Sequence, residues 1–159
     1  MAQFTKRCDK PFPRRCPECG KVEVRLASIA YDAEMNYDGR VYSFRIPQLQ
    51  VNKCDACGDV LFDNLTDDQI SQGLREHLGL LSPQEIRQHL GRLGLMQKEL
   101  GERICVAPET ISRWLSGAYI QSRAYDKLMR LFFEREETNR QYAEKEKATV
   151  PADSSVAAK

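Results

Sequence analysis

Two C-x-x-C-G knuckles bracket a stretch of alternating apolar and charged residues, and a long helix-forming run with a helix-turn-helix pattern follows; together they predict an α+β fold. The expected architecture is a small zinc-stapled antiparallel β domain followed by an all-α helix-turn-helix domain. In chain order we expect a basic tail over 1–15, a zinc-binding β domain over 16–65, a connecting helix over 66–80, the helix-turn-helix domain over 81–141 and a disordered tail over 142–159.

The composition of the 159 residues, 42% hydrophobic and 30% charged, supplies enough apolar material for cores and argues against a largely disordered chain. A net charge of +1 neither marks nor excludes a nucleic-acid binder, which needs only a local excess. Between Leu81 and Arg135, nine Lys or Arg face six Asp or Glu, a surplus that can line one face. The basic start MAQFTKRCDK has no apolar run behind it, and no stretch approaches the ~20 apolar residues of a membrane span, so the expected location is cytoplasmic. Disulfides are rare there, and paired C-x-x-C knuckles are better explained by metal.

Within the first half, Val22, Val24, Leu26 and Ile29, then Val41, Tyr42, Phe44 and Ile46, then Leu49 and Val51 alternate with Glu23, Arg25, Arg40 and Arg45. This is the pattern of a half-exposed antiparallel meander, and Asp38-Gly39 between two runs is a hairpin signal. Pro11 and Pro13 keep the preceding segment out of a helix. Thr66 as N-cap, Asp67 and Asp68 in the first turn and Gly79 beyond predict a helix over 66–77, and Ser82-Pro83-Gln84-Glu85 is a capping box that starts the next. Breaks are expected at Gly94, around residues 105–108 and at Gly117.

Cys16-Pro17-Glu18-Cys19-Gly20 and Cys54-Asp55-Ala56-Cys57-Gly58 are separated by 34 residues between Cys19 and Cys54. Each turn aims two thiolates and several N–H groups at one point, and four sulfurs make the closed tetrahedral set of structural Zn2+. A catalytic ion would need an open position. A redox dithiol and a four-sulfur iron site are the rival readings. His77 and His89, far from the knuckles in sequence, are read as surface or half-buried helix residues, Cys8 as incidental and Cys105 as a small packing residue.

In the second half, Leu100 and Ile104 lie one turn apart, Val106 plugs a turn, and Ile111 with Trp114 makes the inner face of the next helix; Gly101 allows close helix approach. The outward face of that helix then carries Glu109, Thr110, Ser112 and Arg113. Arg113, whose fork matches guanine O6 and N7, is the first candidate for base readout, with Glu109 and Thr110 beside it. Gln97, Ser112, Ser116, Tyr119 and Arg123 are candidates for phosphates. Tyr125, Leu128, Leu131 and Phe132, with Met129 and Phe133, form a stripe wider than one neighbour can bury, which predicts a homodimer seam; the plainer alternative is a fuller internal core. No arrangement of nucleophile, base and acid stands out, and the chain is not expected to be an enzyme.

The run Gln97 to Gly117, with Thr110-Ile111-Ser112-Arg113-Trp114 within it, resembles the Xre or lambda-repressor-like helix-turn-helix, departing from it at Cys105, where Gly is usual, and at Leu115, where an acid is usual. Joined to the two knuckles, it resembles the MqsA family of antitoxins, or YgiT-type zinc finger proteins, over about residues 16–133. The resemblance implies a structural zinc on Cys16, Cys19, Cys54 and Cys57, a toxin partner that is commonly an mRNA-cleaving ribonuclease, and a C-terminal domain that dimerises and represses its own operon by binding palindromic double-stranded DNA. It places the family's base-reading positions on Glu109 and Arg113. A stand-alone zinc-containing transcriptional regulator without a toxin is the alternative.

Overall fold

The computed structural model describes residues 11–149. Strands β1 (Arg14–Arg15), β2 (Val22–Tyr37), β3 (Arg40–Cys54) and β4 (Val60–Leu61) form one antiparallel sheet in that order, followed by α1 (Asn64–Leu78), α2 (Pro83–Leu93), α3 (Gln97–Arg103), α4 (Pro108–Ser116) and α5 (Arg123–Thr149). The α+β class stands, but the meander is a single long hairpin.

The reason is local. Between Val22 and Cys54 the sequence offers one tight turn, Asp38-Gly39, where both φ angles are positive, 51° and 76°, and Tyr37 pairs with Arg40. That backbone matches the twist of the flanking strands. Pro47, which has no N–H for a ladder, is absorbed where the register shifts between Ile29 and Tyr31, opposite the segment from Ile46 to Leu49. The buried side of β3 changes parity across this bulge, with Phe44 buried before it and Leu49 and Val51 after it. Arg14 and Arg15, at the end of the basic tail expected over 1–15, join the sheet by pairing with Val24 and Val22. Cys8 and residues 150–159 lie outside the described residues.

Helix α1 begins two residues earlier than its sequence suggests, because its cap is Asp63 and not Thr66. The Asp63 carboxylate accepts from the amides of Leu65 and Thr66, each at 3.1 Å, and from Asn52 Nδ2 at 2.8 Å. Thr66 is fully buried, within hydrogen-bond reach of both the Gln50 carbonyl and Asp63, and so ties the helix to β3. The Ser82–Glu85 capping box forms as expected.

Two main cores result. Leu74 and Leu80 pack with Ala33, Tyr37 and Phe44, so α1 completes the sheet. Leu81, Ile86, Leu90, Leu100, Ile104, Ile111, Trp114, Met129 and Phe133 form the helical core. A Cβ on Gly101 would sit 2.6 Å from the Val106 carbonyl oxygen, which is why the α3–α4 corner needs glycine there. The turn residue Cys105 is exposed at φ 56°, a left-handed position and not the packing site expected from its sequence. Helix α5 continues past residue 141 through Thr149, into the segment expected to be disordered.

Burial alone would raise the Asp63 carboxyl, but donation from Asn52 and from Thr66 and Leu65 holds it below the ordinary carboxylate value. Its contribution is therefore complete above the unfolded pKa of about 4 and is lost as pH falls through the lower folded value. Asp63→Ala is expected to cost about 1 kcal/mol at neutral pH in a urea titration. The gap between wild type and variant should narrow towards pH 3.

Candidate metal centre and nucleic-acid interface

The knuckles close on each other because each repeats the same local fold. Gly20 N–H bonds the Cys16 carbonyl at 3.0 Å and Gly58 N–H bonds that of Cys54 at 2.8 Å, while the Cys16 and Cys54 amides donate to Lys21 and Asp59. Gly20 and Gly58 take φ 73° and 80°, which lets the chain curl past the sulfurs. Pairing of β2 with β3 sets Val24 opposite Cys54 and so brings the second knuckle to the first.

All four Sγ atoms lie within 4.8 Å of one another. Cys16–Cys57 and Cys19–Cys54 are both 3.7 Å apart, each contact joining one knuckle to the other. A disulfide would need about 2.05 Å, whereas Zn–S arms of about 2.3 Å in a tetrahedron put sulfurs roughly 3.8 Å apart. The charges point the same way. Burial opposes ionisation of Cys54, but the Cys57 and Ala56 amides and the neighbouring thiols bring it down to about 7. Cys57, though favoured by the Asp59 amide, is pushed up to about 12 by burial and by the other three sulfurs. Four thiolates need a cation among them, and Zn2+ supplies it. The cluster is a structural zinc site, held by Cys16, Cys19, Cys54 and Cys57. His77 and His89 take no part: the first stacks on Phe44, and the second stacks on Phe133 and bonds Glu137 at 3.1 Å.

At the opposite end of the hairpin, a buried polar junction joins the sheet to the helices. Tyr37 Oη donates to the Gln121 carbonyl at 2.6 Å. Gln121 Nε2 bonds the Leu81 carbonyl at 2.6 Å and Asp126 at 3.0 Å, and Asp126 also accepts from the Leu81 amide at 2.7 Å and from Arg130 at 2.8 Å. Burial, with Asp38 and Asp126 nearby, pushes the Tyr37 hydroxyl up to about 12, so it stays a donor. Our reading of the sequence did not single out this group. One signal was available: Asp126 sits at i, i+3, i+7 register with the apolar Met129 and Phe133, where a charge needs partners.

Along α4, Ile111 and Trp114 are buried while Glu109, Ser112 and Arg113 are exposed and Thr110 is half-buried. Gln97 is exposed at the first position of α3. Arg113, Ser116 and Tyr119 are brought together: the Arg113 carbonyl accepts from Ser116 Oγ at 3.0 Å and from the Tyr119 amide at 3.3 Å, and the Arg113 guanidinium lies 5.5 Å from the Tyr119 ring centre. Arg123 is drawn to the hairpin tip, its amide facing Asp38 and its guanidinium 5.8 Å from the Tyr42 ring. On α5, Met129 and Phe133 are buried, whereas Tyr125, Leu128 and Leu131 remain 39%, 41% and 64% exposed.

Replacing Cys54 by Ser removes one arm of a closed site. Metal analysis of the purified variant should fall from one zinc per chain to nearly none, with loss of amide-exchange protection at Val24 and Val51. Full zinc occupancy together with wild-type protection would overturn the structural role.

No curated protein matches the chain. A protein-family model described as the antitoxin component of a bacterial toxin-antitoxin system, MqsA, matches residues 14–138. That span holds the knuckles, the hairpin and the whole α3–α4 corner. The chain therefore belongs to the MqsA family of antitoxins.

Proposed function

We propose that the chain neutralises its toxin through the zinc-bearing sheet and represses its own operon through the α3–α4 corner. The observation that carries the second part is the two-sidedness of α4: Ile111 and Trp114 are locked in the core, leaving Glu109, Ser112 and Arg113 on an open face. In a lambda-repressor-like corner that face enters the major groove. Arg113 reads a guanine, Glu109 and Thr110 contact neighbouring bases, and Gln97, Ser112, Ser116, Tyr119 and Arg123 bind phosphates. The toxin belongs to the class common among partners of the family, the mRNA-cleaving ribonucleases, and both activities are exercised in the cytoplasm.

A palindrome needs two reading heads about 34 Å apart. The partly exposed stripe of Tyr125, Leu128 and Leu131 on α5 supports a homodimer through the helical half. The chain works by binding and not by catalysis, since four sulfurs leave the zinc no position for a reacting water.

The test of operator reading is fluorescence anisotropy on a duplex covering the region upstream of its own gene. Arg113→Ala should cost about 1–3 kcal/mol on that duplex and relax the preference at one base pair. An unchanged binding profile rejects the role. For the antitoxin half, coexpression with the product of the adjacent reading frame should yield a stable complex and restore growth.

A further inference from the structure

Arg75 belongs to α1, which completes the sheet, yet its guanidinium ends against the loop that leaves the recognition helix. Nη2 donates to the carbonyls of Gly117 at 3.4 Å and Tyr119 at 3.2 Å. The carbonyls at a helix C-terminus lack intrahelical donors and carry the negative end of the helix dipole. A cation from another element is thus placed where it is favoured. Even so, the arrangement is costly. Arg75 is only 4% exposed, and its Nε has no hydrogen-bond partner among the described residues. A methionine would fill similar space without desolvating a charge, so packing alone does not account for an arginine here.

What the two bonds fix is Tyr119. Its carbonyl is held by Arg75, its amide by the Arg113 carbonyl, and its 61%-exposed ring carries the Arg113 guanidinium at 5.5 Å. A free arginine side chain has rotamer entropy to lose on binding. With the Tyr119 backbone held on both sides, its ring lies against the guanidinium in the free chain, which removes part of that loss before DNA arrives.

We propose that Arg75 is a positioning residue for operator reading: by holding the Tyr119 carbonyl it sets the ring on which Arg113 rests, so that a helix of the zinc-bearing half determines the base preference of the recognition helix. The inference rests on the base-reading role of Arg113 given above.

The test uses the full zinc-loaded chain, a duplex covering the footprinted site upstream of its gene, and a scrambled duplex of equal length. Arg75→Met is expected to weaken binding to the footprinted duplex about tenfold, with little change on the scrambled duplex or in the salt dependence. In an Arg113→Ala background the same substitution should add less than about twofold, because the group being positioned is gone. Arg75→Lys, which keeps the charge and loses the fork, should fall between. Wild-type affinity in folded Arg75→Met, or an equal loss in both backgrounds, overturns the inference. Should Arg75→Met fail to retain zinc and helix content, Arg75→Lys takes its place in the same comparison of the two backgrounds; loss that is independent of Arg113 is again the overturning result. If the wild-type chain does not prefer the footprinted duplex over the scrambled one, the DNA-reading role falls and this inference with it. Wild-type preference with independent losses removes the inference alone.

Discussion

Four sulfur atoms within 4.8 Å of one another hold the base of the hairpin, and they can do so as thiolates only around a shared cation. The geometry of everything nearby follows from that demand. The two knuckles have the same internal bonds, so neither can shift without moving two ligands at once. Val24, packed between Cys16 and Cys54 and almost wholly buried, belongs to a cluster of few residues. So small a core has little hydrophobic stabilisation of its own, and the metal supplies most of what keeps the first and last strands of the sheet in place.

From that base the hairpin runs unbroken to the helical half. A strand of 16 residues spans roughly 50 Å, far longer than ordinary strands. An isolated two-stranded ribbon of that length would be marginal in water. Here it is anchored three times: by sulfur at its base, by α1 along β3, and at its tip by the Tyr37 hydroxyl buried against the Gln121 carbonyl. Asp126 and Gln121 then hand the constraint to Leu81, the residue that leads into α2. Nothing in this chain of contacts is a loose linker, and the sheet and the helical half are joined in one hydrogen-bonded frame.

The metal ligands and the α3–α4 corner were legible in the sequence because each rests on short-range rules. A C-x-x-C-G turn folds the same way wherever it occurs, and Leu100, Ile104, Ile111 and Trp114 follow the helix period into the core. The length of the hairpin was not legible, because Pro47 resembles a strand break until the bulge that accommodates it is seen. Asp63 was overlooked as a cap for a related reason: Thr66 is also a capping residue by type, and only the position of β3 shows its hydroxyl spent on Gln50 and Asp63. Arg75 and Tyr37 were invisible for a stronger reason. Their partners are 42 and 84 residues away, and no local pattern records a bond to a distant carbonyl.

The α3–α4 corner departs at its turn from the lambda-repressor-like pattern that its sequence resembles, and the structure shows how the departure is tolerated. Cys105 takes the positive φ that glycine would accept without strain, at a cost on the order of 1 kcal/mol. The bond that requires this conformation is the one from Val106 N–H to the Gly101 carbonyl, 2.8 Å long, which closes the turn and drops Val106 onto the core. Gly101, in turn, has room for no side chain because a Cβ there would lie 2.6 Å from the carbonyl oxygen of the same Val106. Glycine is therefore indispensable at the crossing, where a Cβ would collide with backbone, and dispensable at the turn, where the side chain of Cys105 points to solvent and only its torsion angle is strained.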